Sequence, residues 1–155
     1  MRITTYTTAL DEGKKNILVK ERSINYASEP LNNPFRITEM MCNLFKLDTK
    51  AEEYVYMISF NTRSYVLGVF ELSHGDVSNS MMNPREILIR NLLCGATGFV
   101  IVHNHPSGNP TPSQTDINVT KKVQAAADLI GIRLLDHIVI GENKSFYSFL
   151  EHTLI

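Results

Sequence analysis

The segment Gly98-Phe99-Val100-Ile101-Val102 constrains the fold of this chain more than any other. It is short and apolar throughout, three of its residues are β-branched, and it lies between Gly95 and a polar loop rich in proline. Those features read as a strand rather than a helix. A strand apolar at every position is the pattern of one buried on both faces of a sheet.

Helical signals stand on either side of it. Asn33-Pro34 has the form of an N-cap followed by proline at the first helical position. Ile37, Met40, Met41, Leu44 and Phe45 then recur at three- and four-residue spacing, predicting a helix that ends near Leu47. Tyr54–Phe60 and Tyr65–Leu72 read as strands joined by a turn at Asn61–Ser64, and Ser73-His74-Gly75-Asp76 breaks the pattern. Asn83-Pro84-Arg85-Glu86 starts a second helix that Gly95 ends, with Asn83 and Glu86 read as capping residues. A third helix is expected from about Gln114 to Ile130, closed by Gly131. Ile132–Leu135 and Ile138–Ile140 give one or two further strands. Alternating strands and helices of this kind imply an α/β sandwich with a mixed sheet. Ahead of them, Arg2–Thr8 and Asn16–Val19 are β-prone pieces around a charged turn at Asp11–Lys15. Residues 1–32 are therefore expected to form an edge ribbon or an arm, and 33–155 the domain proper.

Composition sets outer bounds. A chain of 155 residues with 43% hydrophobic side chains has the material for one core, and 20% charged residues exclude a disordered chain. A formal charge of -1 provides no positive field for nucleic acid or an anionic membrane. No apolar run approaches the ~18 residues of a membrane span, and Met1–Lys20 is too polar for a signal peptide. Cys42 and Cys94 form neither a disulfide framework nor a paired metal motif and read as core residues of helix faces. The expectation is a soluble, cytoplasmic domain.

The chemistry concentrates in the loop from His103 to Asp116. Residues i and i+2 of an extended chain share a face, so His103 and His105 can converge on one point at the strand end. With a carboxylate returning from the next helix they supply three N and O ligands, which suits Zn²⁺ with a fourth position left for water. Ser113-x-x-Asp116 also has the form of a capping box. Capping and ligation compete for the Asp116 carboxylate, whereas the Ser113 hydroxyl can serve a cap and still face the site. His137 reads as a structural histidine, and His74 and His152 as loop and tail residues. A zinc water also needs a general base, and the carboxylates nearest a strand end are Glu52 and Glu53.

His103-x-His105-Pro106 followed by Ser113-x-x-Asp116 resembles the JAMM motif of the MPN+/JAB metalloproteases. The longer His-Asn-His-Pro-Ser-Gly-Asn-Pro-Thr-Pro-Ser segment, the run Leu134–Gly141 and Pro84-Arg85-Glu86-Ile87 are similar to the RadC branch of that superfamily. The likeness covers roughly residues 50–150. It implies a three-layer α/β/α sandwich with a mixed sheet, of the cytidine-deaminase-like JAB/MPN kind. By the same resemblance His103, His105 and Asp116 are the metal ligands for one Zn²⁺, and Ser113 assists the oxyanion. The base is expected to be Glu52, which fits the strand-start glutamate of the RadC-like pattern, with Glu53, the choice on the pattern of other JAMM branches, in reserve; should neither serve, Glu71 or Glu86 is next in line. RadC proteins also carry an N-terminal helix-hairpin-helix module, of which the residues ahead of the sheet show no pattern.

Two functions follow from different classes. One is a zinc-dependent hydrolase of peptide or isopeptide bonds, with a protein or peptide substrate. The other is an accessory module of the family's DNA-repair label, meeting nucleic acid only through a complex. No membrane partner is expected, and a homo-oligomer is compatible with the sequence. A zinc deaminase would need His-x-Glu and Pro-Cys-x-x-Cys, and neither occurs. Nor is His103-Asn104-His105 an HNH nuclease signature, which is a dispersed ββα pattern.

Overall fold

The computed structural model describes residues 1–27, 30–75 and 82–155; Asp76, at the end of the expected break, lies outside them. In chain order the strands are β1 (Arg2–Leu10), β2 (Asn16–Asn25), β3 (Glu53–Phe60), β4 (Val66–Gly75), β5 (Gly98–Asn104), β6 (Arg133–Ile140) and β7 (Phe146–Ser148). The helices are α1 (Pro34–Phe45), α2 (Pro84–Cys94) and α3 (Gln114–Leu129). Among the described residues these seven strands join one sheet in the order β2-β1-β4-β3-β5-β6-β7. β1 pairs with β4, and β5 with β6, in parallel, while the other neighbours are antiparallel, so the sheet is mixed.

Alternation along the central strands decides which layer each helix occupies. Tyr56, Ile58 and Phe60 of β3, with Val100 and Val102 of β5, pack on the α1 residues Ile37, Met40 and Met41. The intervening Val55, Met57, Phe99 and Ile101 pack on Ile87 of α2 and on Val123 and Ala127 of α3. Both faces of the sheet are covered, and the chain is the three-layer α/β/α sandwich implied by its motif.

The local signals account for the helix ends. Asn33 Oδ1 accepts the Arg36 N–H at 2.9 Å, and Asn83 Oδ1 accepts that of Arg85 at 3.0 Å. Gly95 closes α2 in the left-handed region, at φ 69°. α1 stops at Phe45 instead of near Leu47, because Lys46 takes a left-handed cap and a short 3-10 turn over Leu47–Thr49 follows. Glu86 is no capping partner: its carboxylate accepts from Arg85 at 2.7 Å and from Arg90 at 3.2 Å.

Three features depend on pairing across the chain. β4 runs through Ser73, His74 and Gly75, where the sequence reads as a break, since each pairs with a residue at the start of β3. β6 is one strand rather than two. The hairpin of β1 and β2 is joined to the sheet where Thr5 meets Val69, and Ile3 lies buried in the α1 layer.

Candidate metal centre

Two adjacent strands and one helix supply the cluster. β5 carries His103 on the face shared by Phe99 and Ile101, beneath α2 and α3. The chain leaves the strand at His105, whose N–H donates to Ile140 O at 2.9 Å. Gly108 N–H then donates to His105 O at 3.0 Å, and Glu142 N–H to Gly108 O at 2.9 Å, which stitches the loop to the end of β6. α3 begins at Gln114 with Ser113 as its N-cap, so Asp116 lies in the first turn.

The result is a compact ligand set. His103 Nε2 is 3.1 Å from His105 Nε2 and 3.6 Å from Asp116 Oδ1. His105 Nε2 is 3.5 Å from Asp116 Oδ2. All three ligand atoms lie within 4.8 Å of one another, which could hold a metal ion. His103 is fully buried, Asp116 is 5% exposed and His105 is half-buried.

The donor chemistry fits a cation. His105 Nδ1 lies 2.8 Å from Asn109 O, and a carbonyl only accepts, so that nitrogen carries the hydrogen. In a neutral ring Nε2 is then a bare lone pair, aimed at a second imidazole nitrogen beside a carboxylate. Such an arrangement is relieved by a proton or by a metal ion. Burial, opposed by the Asp116 charge and reinforced by His105, lowers the His103 imidazole to about 4, so the ring is neutral at neutral pH. Contact with Asp116 raises His105 despite its burial. Burial would raise Asp116, but the hydrogen bond with His105, the electrostatic pull of the adjacent His103 wherever that ring is protonated, and the Ser113 bonds together hold it well below the ordinary carboxylate range.

The two strand-start glutamates are placed differently. Glu52 is exposed and precedes β3; its main-chain carbonyl accepts from Asn104 Nδ2 at 3.0 Å. Glu53 is the first residue of β3 and is buried, 7% exposed. Val55 pairs with His103 in the antiparallel ladder, and two more residues in that register bring Glu53 opposite His105. Burial pushes the Glu53 carboxyl up; His105 opposes that shift and Asp116 adds to it. Glu71 and Glu86 stand apart. Glu71 accepts from Tyr56 Oη at 2.8 Å on the α1 face of the sheet, and Glu86 is held by its arginines.

Ser113 sits beside the cluster as the N-cap of α3, in the expected capping box with Asp116. Its hydroxyl donates to Asp116 Oδ2 at 2.6 Å, so its one hydrogen is committed to the ligand carboxylate. Two residues gain roles that their sequence positions do not advertise. Asn104 accepts the Tyr54 N–H at 2.8 Å while donating to Glu52 O, and so brackets Glu53 against the end of β5. His137, fully buried on β6, places Nε2 2.8 Å from His103 Nδ1. The signal for Asn104 was its place between the two histidines, whereas His137 is separated from them by the whole of α3.

Residues 31–154 match the sequence model of the RadC-like JAB domain. Over 129 residues the chain is 36% identical to a UPF0758 protein of Clostridium beijerinckii, covering 81% of this chain and 56% of that protein. It is 33% identical over 143 residues to a UPF0758 protein of Actinobacillus pleuropneumoniae, covering 92% and 62% of the two. A UPF0758 protein of Pasteurella multocida is 40% identical over 109 residues, covering 70% and 48%. The chain thus spans roughly half to three fifths of these relatives.

Proposed function

The chain belongs to the RadC-like JAB domain family, and from that premise we propose that it is a zinc-dependent hydrolase of peptide or isopeptide amide bonds. One observation carries the reading: two imidazole Nε2 atoms lie 3.1 Å apart beside the buried Asp116 carboxylate. His103, His105 and Asp116 would hold the metal. Two nitrogens and one oxygen favour Zn²⁺ over the all-oxygen preference of Ca²⁺ and Mg²⁺, and three protein ligands are the pattern of a catalytic site. When bound, zinc lowers the pKa of a water to about 7 and polarises a substrate carbonyl.

The remaining steps belong to the protein. Glu53, raised by burial, takes a proton from the attacking water as its oxygen forms the new bond to the carbonyl carbon. It returns that proton to the nitrogen as the C–N bond breaks, so the products are a carboxylic acid and an amine. Asn104 keeps Glu53 in place by fixing the main chain on both sides of it. The balanced charge supports a protein or peptide substrate over directly bound nucleic acid.

The test is metal content and cleavage in protein purified without a histidine tag. About one zinc per chain is expected, with hydrolysis of quenched peptide or isopeptide-linked substrates. Asp116→Asn keeps the size of the side chain and removes the anionic ligand, so it should lose the metal and remain folded. Folded wild-type protein that takes up no zinc at neutral pH would overturn the proposal.

A further inference from the structure

We infer that His137, held by Thr120, is a positioning residue that fixes the tautomer of His103 and leaves His103 Nε2 bare toward the metal. The inference rests on the metal reading above for its purpose, but its geometry stands without it. Thr120 has a single hydroxyl hydrogen. Its Oγ1 lies 2.5 Å from Asp116 O, one turn back along α3, and a carbonyl can only accept. That hydrogen is therefore committed to the carbonyl. Thr120 Oγ1 also lies 2.6 Å from His137 Nδ1, so in this second contact the hydroxyl oxygen accepts and His137 Nδ1–H donates.

The rest follows from counting hydrogens. A neutral imidazole protonated at Nδ1 is bare at Nε2, and His137 Nε2 is 2.8 Å from His103 Nδ1. His103 must then donate from Nδ1, which leaves its own Nε2 as a lone pair. His105 reaches the same tautomer by another route, through Asn109 O. The relay thus begins at the main chain of Asp116 and ends at the nitrogen that faces the Asp116 side chain. One residue anchors both ends.

Packing keeps the relay in place. His137 pairs with Ile101 in the parallel ladder, so it shares the face of His103. Its ring stacks on Phe149 with centroids 4.6 Å apart and planes 22° from parallel. His103, Thr120 and His137 are all essentially inaccessible, so water cannot substitute for a missing partner. Metal-bound histidines commonly donate the other ring N–H to a fixed acceptor, and loss of such a partner typically costs ~10–100-fold in metal affinity. Here the acceptor is a second imidazole, whose own protonation is set in turn by a threonine.

Long-range ¹H–¹⁵N correlation spectra of the metal-free wild-type protein read the tautomers directly. Nδ1–H is expected for both His103 and His137; an Nε2–H tautomer of His103 would overturn the inference. His137→Phe preserves the ring and the Phe149 stack but offers no acceptor. It should shift His103 toward Nε2–H and weaken zinc binding ~10–100-fold, with His137→Gln restoring much of the affinity through its amide oxygen. Folded His137→Phe protein with unchanged tautomer and zinc affinity would also overturn it. Should His137→Phe not fold, the wild-type spectrum decides, and Thr120→Val supplies a second variant that removes only the anchoring hydroxyl. Wild-type protein with the expected tautomers but no zinc affinity would support the relay while removing the metal reading.

Discussion

Ser113 and Asp116 are bound reciprocally: Asp116 Oδ2 accepts the Ser113 N–H at 2.7 Å and its hydroxyl at 2.6 Å, while Asp116 N–H donates back to Ser113 Oγ at 3.1 Å. Oδ1 remains the oxygen nearest His103 Nε2. A carboxylate has about four lone-pair sites, so capping and ligation need not compete. The capping box aims the ligand.

Ser113→Ala tests that division of labour. It removes a cap, at about 1 kcal/mol of stability, and one of the bonds that orient the carboxylate. Zinc affinity should fall by roughly tenfold, the lower end of what a lost supporting partner costs. Denaturant midpoints and zinc competition titrations read the two effects separately. Full zinc affinity with lost turnover would instead assign the hydroxyl to the oxyanion.

Glu53→Gln is expected to separate activity from stability. Burial raises the Glu53 carboxyl above its ordinary 4.5, so the folded state binds that proton more tightly than the unfolded chain does. The stability due to the protonated form is complete below the ordinary value and is lost as pH rises through the raised one. Glutamine is neutral throughout. In metal-free protein the variant should therefore match the wild type near pH 4 and melt higher at neutral pH. Turnover should fall by ~10²–10⁴ with zinc retained. Glu52→Gln, at an exposed position, should change neither melting nor rate. Equal melting curves for Glu53→Gln and wild type at every pH would show that the buried charge costs nothing.

The sequence carried the local part of this arrangement. Asn33, Asn83 and Ser113 mark their helix starts because a cap is read within a few residues, and His103 and His105 converge because of strand periodicity. The metal-ligand spacing likewise lies within a single loop and its helix. What was not legible depends on pairing between distant segments. Glu52 and Glu53 are adjacent letters, and the choice between them rests on the ladder that sets Val55 against His103. On its other side Glu53 pairs with Gly75, which reads as a turn but extends β4. β7 has three residues, too few for a periodic signal, and is fixed by pairing with β6 and by Ser148 Oγ donating to the buried Asp136 at 2.7 Å. His137 looked structural because its partners come from β5 and α3 rather than from its own neighbourhood.

Gly141→Ala probes how far the metal centre depends on the seam between its loop and the end of β6. A Cβ at position 141 would collide with the main-chain oxygen of Gly108 and lie 2.7 Å from Ser145 Oγ. The oxygen is backbone and cannot rotate away. It is also the acceptor for Glu142 N–H, in the same seam where Gly108 N–H reaches His105 O and His105 N–H reaches Ile140 O. Relief must therefore come from moving the loop outward, and His105 is the ligand that moves with it. His103, His137 and Thr120 belong to β5, β6 and α3, so their relay should keep its tautomers. The variant is expected to fold with a lower Tm, to show the wild-type His103 signal, and to bind zinc ~10–100-fold more weakly through the displaced ligand. Gly13→Ala, in the hairpin turn far along the chain, is the control and should leave zinc binding unchanged. Wild-type zinc affinity in folded Gly141→Ala would mean that the loop yields elsewhere and that His105 does not rely on this seam for its position.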